Sequence, residues 1–316
     1  MPELLTIGET MAAFAPRENG PLCYIHDFTL RAAGSESNVA AGVCKLGHTA
    51  GWISRLGGDG LGRFILNAVR ADGVDASHVP VVEGERTGAM VKEMSAGGET
   101  SVYYYRDGSA FSHYTPEMLD EGYLADCRVL YLTGITPLLG EGCLQAVQRA
   151  LQAARAAGAM IAFDPNIRLK LWAGRDCAPL IRGLMLQSDI ALLGVDEAQR
   201  LLGTGSPKEI CEILFREGRV RMVAIKNGDQ GAWAAVPGEL YPIKPHPCRC
   251  IDPVGAGDSF NAGFLCGVLE EAPVLRCGEM GAVCGALATQ TVGDTEGQPT
   301  RRQLDSILQN NDAVYR

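Results

Sequence analysis

Two rhythms of apolar and polar positions alternate along the chain. Short apolar runs ending in Gly, Asp or Thr read as strands, and longer stretches with apolar residues three and four apart read as helices. Leu4 to Gly8 opens the series as a strand, and Ser37 to Leu46 follows with Val39, Val43 and Leu46 on one helical face. Gly51 to Leu56 reads as a strand, Leu61 to Ala71 as a helix and Val129 to Thr133 as a strand. Glu141 to Ala157 reads as a long helix stopped by Gly158, and Met160 to Phe163 as a strand ended by Asp164-Pro165-Asn166. Ile190 to Leu193 and Met222 to Ile225 continue the strands, with helices near Asp196 to Leu202 and Pro207 to Glu217. Ala232 to Val236 and Glu239 to Ile243 form a hairpin pattern, and Ala256 to Leu269 and Val274 to Thr291 are the last helices. This alternation predicts an α/β fold with a mainly parallel sheet and helices on both faces.

One region departs from the rhythm. Thr87 to Met94 and Thr100 to Arg106 alternate in polarity around Ala96-Gly97-Gly98, and Phe28 to Ala32 is also extended. These segments predict a small β-sheet lid built from about 12–32 and 87–110. The other reading is an edge hairpin of the main sheet. The whole of 1–316 is expected to form one domain.

Composition narrows the class. Hydrophobic residues make up 47% and charged residues 21%, as in ordinary globular chains. The net charge of −9 argues against sequence-independent nucleic-acid binding, which needs a basic surface. No uninterrupted apolar run approaches the roughly 18 residues of a membrane span. The first residues read as a strand carrying Glu3 and Glu9, not as a signal segment. The odd count of 11 cysteines without a CxxC pair suits reduced, mostly buried thiols in the cytoplasm.

The chemistry concentrates in Asp252-Pro253-Val254-Gly255-Ala256-Gly257-Asp258. Two glycines permit a tight turn, and a helix follows at once. The unpaired first N–H groups of that helix and its dipole make a phosphate site. Asp258 falls in the first helical turn, beside that site, where a carboxylate could take a proton from an acceptor hydroxyl. Read alone, it could equally be a dipole partner. A second segment, Ala33-Gly34-Ser35-Glu36-Ser37-Asn38-Val39-Ala40, precedes Gly57-Gly58-Asp59-Gly60-Leu61-Gly62. Asn38 offers a donor and an acceptor to sugar hydroxyls, although Ser and Asn at a helix start also serve as caps.

Together the two segments resemble the paired signatures of the ribokinase/PfkB carbohydrate kinases, over nearly the whole chain. The resemblance implies a Rossmann-like (ribokinase-like) α/β domain with a β-lid, and Asp258 as the base. It implies that the backbone of Gly255, Ala256 and Gly257 holds the charge of the transferred phosphoryl group, with ATP as donor and Mg²⁺ bridging its phosphates. Lys226-Asn227-Gly228-Asp229-Gln230-Gly231 resembles the family's nucleotide-side loop, which implies nucleotide contacts for Lys226, Gly228 and Gly231, and for Asn166; as a bare turn it would be a hairpin. Glu197 matches a magnesium-organising segment, but Gly194 stands where the family has Asn. Asp196, water or Asn166 are the alternatives for that task.

Asp164-Pro165-Asn166-Ile167-Arg168 and Tyr103-Tyr104-Tyr105-Arg106 resemble the 2-keto-3-deoxygluconate kinase branch of the family. By that similarity Gly34, Asn38, Tyr104, Arg106 and Arg168 contact the substrate, whose hydroxymethyl group is phosphorylated, and Asp294 either helps to hold it or lines the nucleotide end. Two Arg could converge on one acidic group; Arg106 exposed on a lid strand and Arg168 in a structural salt bridge are the plain readings. Met90 replaces the Tyr that branch tends to carry, which keeps a neutral, fructokinase-like sugar open. A sensor that kept the fold without catalysis is a rival class, but Asp258 and its turn are retained. No GxGxxG supports a nicotinamide enzyme. His246-Pro247-Cys248-Arg249-Cys250 lacks the four spaced ligands of a zinc site. The lid's strand edges, with Met90, Val102 and Tyr104, predict a homodimer through the lid.

Overall fold

The computed structural model describes residues 1–95 and 100–310. Its main sheet has eight strands, in the order Glu239–Ile243, Ala232–Val236, Met222–Lys226, Ile190–Gly194, Met160–Asp164, Val129–Thr133, Leu4–Ile7 and Ala50–Ile53. From Met222–Lys226 across to Ala50–Ile53 the strands run parallel, and the last hairpin is antiparallel. The parallel strands are buried on both faces, which is why they read as continuous apolar runs. Leu4, Val129 and Tyr131 point into one core with the helices Ser35–Lys45, Ala256–Leu269 and Val274–Ala288. Leu5, Leu130 and Leu132 point into the other, with Glu141–Ala156, Val195–Leu202 and Pro207–Glu217.

Several boundaries differ from the sequence expectation. Gly51 to Leu56 is not one strand: Ala50–Ile53 joins the main sheet, while Leu56–Gly57 pairs with Val81–Val82. The break falls where Ser54 turns its hydroxyl onto the Gly8 carbonyl, at 2.7 Å. The helix expected to reach Thr291 stops at Ala288, with Thr289 Oγ1 donating back to the Ala286 carbonyl. Helices Ala178–Gln187 and Arg301–Asn310 had no counterpart in the pattern reading.

The lid is a separate sheet, ordered Phe28–Ala33, Met11–Pro16, Ala89–Met94, Thr100–Tyr105, and not an edge hairpin of the main sheet. Met11–Pro16 runs parallel to Ala89–Met94, while the flanking pairs are antiparallel. The Ala96-Gly97-Gly98 turn lies outside the described residues. Alternation sends Met90, Val102 and Tyr104 inward against Met11, Ala13 and Ala33. The three residues expected to face a second copy therefore face the body of the molecule. Tyr103 and Tyr105 are the exposed aromatics of that strand.

Candidate active site

The C-terminal ends of the parallel strands, the first helix, the Gly255 turn and the inner face of the lid enclose one cavity of about 210 Å³. In open α/β sheets this end of the strands is where ligands bind. Gly34, Asn38, Tyr104, Arg106, Arg168, Gly255, Asp258 and Asp294 all line it. The sequence expectation for the sugar site is thus brought together in one place, from segments scattered along the chain.

Asp258 sits in the first turn of Ala256–Leu269. Gly255 caps that helix at φ +76°, and a Cβ there would lie 2.3 Å from the Asp294 carbonyl oxygen. Only glycine satisfies both conditions. The Ser259 N–H is bonded back to the Gly255 carbonyl at 2.9 Å. The N–H groups of Gly257 and Asp258 precede that first closed turn and are the donors a phosphoryl group would meet. The Ala256 N–H is already turned onto the Pro253 carbonyl at 3.3 Å.

The Asp258 carboxylate is held at both oxygens. Ser35 Oγ donates to Oδ1 at 2.7 Å and Asn38 Nδ2 to Oδ2 at 2.8 Å. Each oxygen keeps a lone pair for a further proton. Burial pushes the carboxyl up to about 6, against the pull of those two hydrogen bonds. A carboxyl poised there is ionised near neutrality and still basic enough to accept a proton. Asn38 thus engages one of its two amide N–H donors with Asp258. Ser35 went unnoticed in the sequence because a serine at a helix start reads as a cap.

A polar ladder supports the base from below. Asn166, at φ +40°, donates from Nδ2 to Ser35 Oγ at 2.7 Å. Its backbone N–H is held by Asp164 Oδ1 at 2.9 Å, and Asp164 Oδ2 takes Lys226 Nζ at 2.7 Å and Asn261 Nδ2 at 2.6 Å. Burial alone would lower Lys226, but the Asp164 and Glu197 carboxylates hold its ammonium above the ordinary value. Lys226 points inward, under the anion turn: a Cβ at Gly257 would lie 4.0 Å from its Nζ. Gly228 and Gly231 flank the turn that joins Met222–Lys226 to Ala232–Val236, so the Lys226–Gly231 segment is a hairpin loop, and none of its residues lines the cavity.

Glu197 is committed to backbone. Its Oε1 accepts the Ile167 N–H and its Oε2 the Gly194 N–H, both at 2.8 Å. Burial and the nearby Asp164 push this carboxyl up. Among the described residues no group of three His, Cys, Asp or Glu side chains is placed to hold a metal ion.

The lid brings charges of its own. Arg106 is buried, with Nε donating to Glu9 Oε2 at 2.8 Å, and Ser109 Oγ donates to Glu9 Oε1. The plain reading of an exposed lid arginine is therefore corrected. Arg168 is exposed, precedes the short helix Leu169–Trp172 and bonds the neighbouring Ile167 carbonyl at 3.3 Å. Lys92, which sequence reasoning passed over, also lines the cavity, as does Met90.

A pfkB family carbohydrate kinase model matches residues 1–301. The chain is 35% identical to the 2-dehydro-3-deoxygluconokinase of Bacillus subtilis (strain 168), over 99% of this chain and 97% of that protein. It superposes on a PfkB protein from Polaromonas sp. JS666 with a TM-score of 0.89 and 34% identity, covering 97% of this chain and 100% of the other. A ribokinase-type protein of E. coli, solved in complex with ATP and Mg²⁺, gives a TM-score of 0.91 at 26% identity, covering 98% of this chain and 100% of that one. The two signatures, the strand order and the lidded cavity around Asp258 agree with these likenesses, and the chain belongs to the pfkB family of carbohydrate kinases.

Proposed function

We propose that the protein transfers the γ-phosphoryl group of ATP to the hydroxymethyl group of 2-keto-3-deoxygluconate. The observation that carries this reading is Asp258, held between Ser35 and Asn38 at the floor of a cavity that Arg106 and Arg168 also line. Asp258 takes the hydroxyl proton as the sugar oxygen bonds to the γ-phosphorus. The bond from that phosphorus to the β–γ bridging oxygen breaks, and ADP leaves with the electron pair. The free N–H groups of Gly257 and Asp258, with the helix dipole, meet the charge on the phosphoryl oxygens. Arg168 and the Nη1 of Arg106 receive the acid's carboxylate. Glu9 neutralises Arg106 from behind, so Arg168 brings the uncompensated charge. The Bacillus relative, a 2-dehydro-3-deoxygluconokinase, supports the same sugar acid.

The donor set suits Mg²⁺ carried mainly by nucleotide phosphates and water, as this ion commonly is. When bound it would neutralise charge on the β- and γ-phosphates. Glu197, engaged by two backbone N–H groups, orients the Gly194 and Ile167 backbone beside that region. The Gly228 to Gly231 loop forms the nucleotide side of the site, while Asn166 and Lys226, turned onto Ser35 and Asp164, support it from beneath. A neutral hexose is the second reading; Met90, on the cavity wall, supports it because a thioether offers the sugar no donor.

A coupled ATP-consumption assay over 2-keto-3-deoxygluconate, fructose and ribose decides between them. The acid is expected to turn over and Asp258→Asn to lose at least about 100-fold in kcat while still binding ATP. Turnover of a neutral sugar in place of the acid would remove the carboxylate role of the two arginines. We also assign the protein to the cytoplasm, since its eleven cysteines are all free thiols, and to a homodimer through the lid.

A further inference from the structure

The lid wall of the cavity carries a charge pair that the phosphoryl transfer leaves unused. Lys92 stands two residues beyond Met90 on Ala89–Met94, opposite Val102, so the period of two turns it to the cavity. Its Nζ lies 3.1 Å from Asp294 Oδ1, and the two side chains are only 9% and 7% exposed. The pair joins the lid to the loop beyond helix Val274–Ala288. That loop abuts the anion turn, because the Asp294 carbonyl packs on Gly255.

Such a pair is a poor fastener. Taking two charges out of water costs about what their attraction returns, and apolar residues of like size often serve better. Met11 and Met90, on the same face, already provide that kind of contact. What the pair does offer is unspent hydrogen bonding. An ammonium has three N–H donors, and among the described residues Asp294 is its one partner. Asp294 Oδ2 accepts from no described group. Two donors and an acceptor lie side by side on the cavity wall, matching a hydroxyl, which accepts one bond and donates another.

We propose that Lys92 is a specificity-determining residue that, with Asp294, reads one secondary hydroxyl of the sugar acid. The pair is neutral as a whole, so it does not compete with Arg168 for the carboxylate. This inference rests on the sugar-acid reading for the identity of the substrate but not for the geometry of the pair.

The test compares kcat and KM for 2-keto-3-deoxygluconate and for its analogues lacking the C4 or the C5 hydroxyl. The proteins are the full-length wild type, Lys92→Met, Lys92→Arg and the double variant Lys92→Met/Asp294→Asn. Wild type is expected to lose on the order of 100-fold or more in kcat/KM on one analogue, since a site built to bond a hydroxyl rejects the molecule without it. Lys92→Met is expected to raise KM for the parent sugar by on the order of 100-fold with a smaller change in kcat, and Lys92→Arg to recover part of the loss. In the double variant the gap between parent and analogue should shrink to within about tenfold. Equal kcat/KM of wild type on all three sugars would overturn the proposal. So would a double variant with wild-type discrimination, since Lys92 would then only neutralise Asp294. If Lys92→Met does not fold, Lys92→Arg and Lys92→Gln carry the comparison. Should a neutral sugar be the true substrate, the sugar-acid reading fails on its own, and the same deoxy comparison on that sugar still decides the pair.

Discussion

At the scale of single residues, the proposed role of Asp258 as the base makes it the group that sets the pH dependence. A protonated carboxyl cannot take the hydroxyl proton, so activity must rise with pH as the group ionises. With the carboxyl near 6, kcat/KM should climb about tenfold per unit below that value and level off above it. Ser35 donates to the charged form and thereby favours it. Ser35→Ala should move the rising limb to higher pH, whereas a purely structural serine would lower the plateau and leave the limb in place. The place of Asp258 was legible because the Gly255 turn, the helix start and the carboxylate are contiguous in the sequence. Glu9 and Lys92 were not. Glu9 meets Arg106 from a distant segment, and nothing local marks a lysine on a strand as buried. The available signal was the period of two: once Met90 is placed on the inner face, Lys92 follows.

At the scale of elements, the helix that carries Asp258 is fixed by how closely it packs on its neighbour. Ala256–Leu269 and Val274–Ala288 approach through glycines. A Cβ at Gly263 would lie 2.7 Å from the Met280 carbonyl oxygen, and one at Gly267 would lie 2.9 Å from Cys277 Cα. Ser259 Oγ ties the pair by donating to the Cys284 carbonyl at 2.9 Å. Gly263→Ala must push the helices apart and is expected to cost about 1–3 kcal/mol, read from the urea midpoint. Because the displaced helix holds the base and the anion turn, kcat should fall in the same variant while KM for the sugar changes less. An unchanged urea midpoint would show that the helices can part without strain. These two helices were readable as elements because each is a long apolar stretch with few charges, and Cys277 and Cys284 are core side chains as their spacing suggested. The lid strand Met11–Pro16 was harder to see, since its run of Ala, Phe and Pro lacks the β-branched residues that mark a strand.

At the scale of the whole molecule, the lid is the part with an unpaired surface. Phe28–Ala33 and Thr100–Tyr105 are its edge strands, and each presents backbone groups that a neighbouring strand could pair. The expectation of a dimer was drawn from Met90, Val102 and Tyr104, which the fold turns inward. The case now rests on other residues. Tyr105 is 66% exposed and Tyr103 44% exposed, on the outer face of the edge strand. Rigid amphipathic rings of this kind are enriched at protein interfaces. The lid is tied to the body by Lys92 to Asp294, by Arg106 to Glu9 and, at its edge strand, by Lys170 Nζ to the Val102 carbonyl, which hold the outer face at a set angle. A two-fold contact between lids would therefore bury the tyrosines without opening either cavity. Light scattering on the purified protein should give twice the chain mass of 33.6 kDa. Tyr105→Lys should shift it toward the single mass by placing like charges across the axis. The variant should keep its kcat if the cavity is complete within one chain, as its lining residues indicate. A wild type that scatters as a monomer at all concentrations would end the case for a lid-mediated dimer and leave the tyrosines as solvent-facing residues of the edge strand.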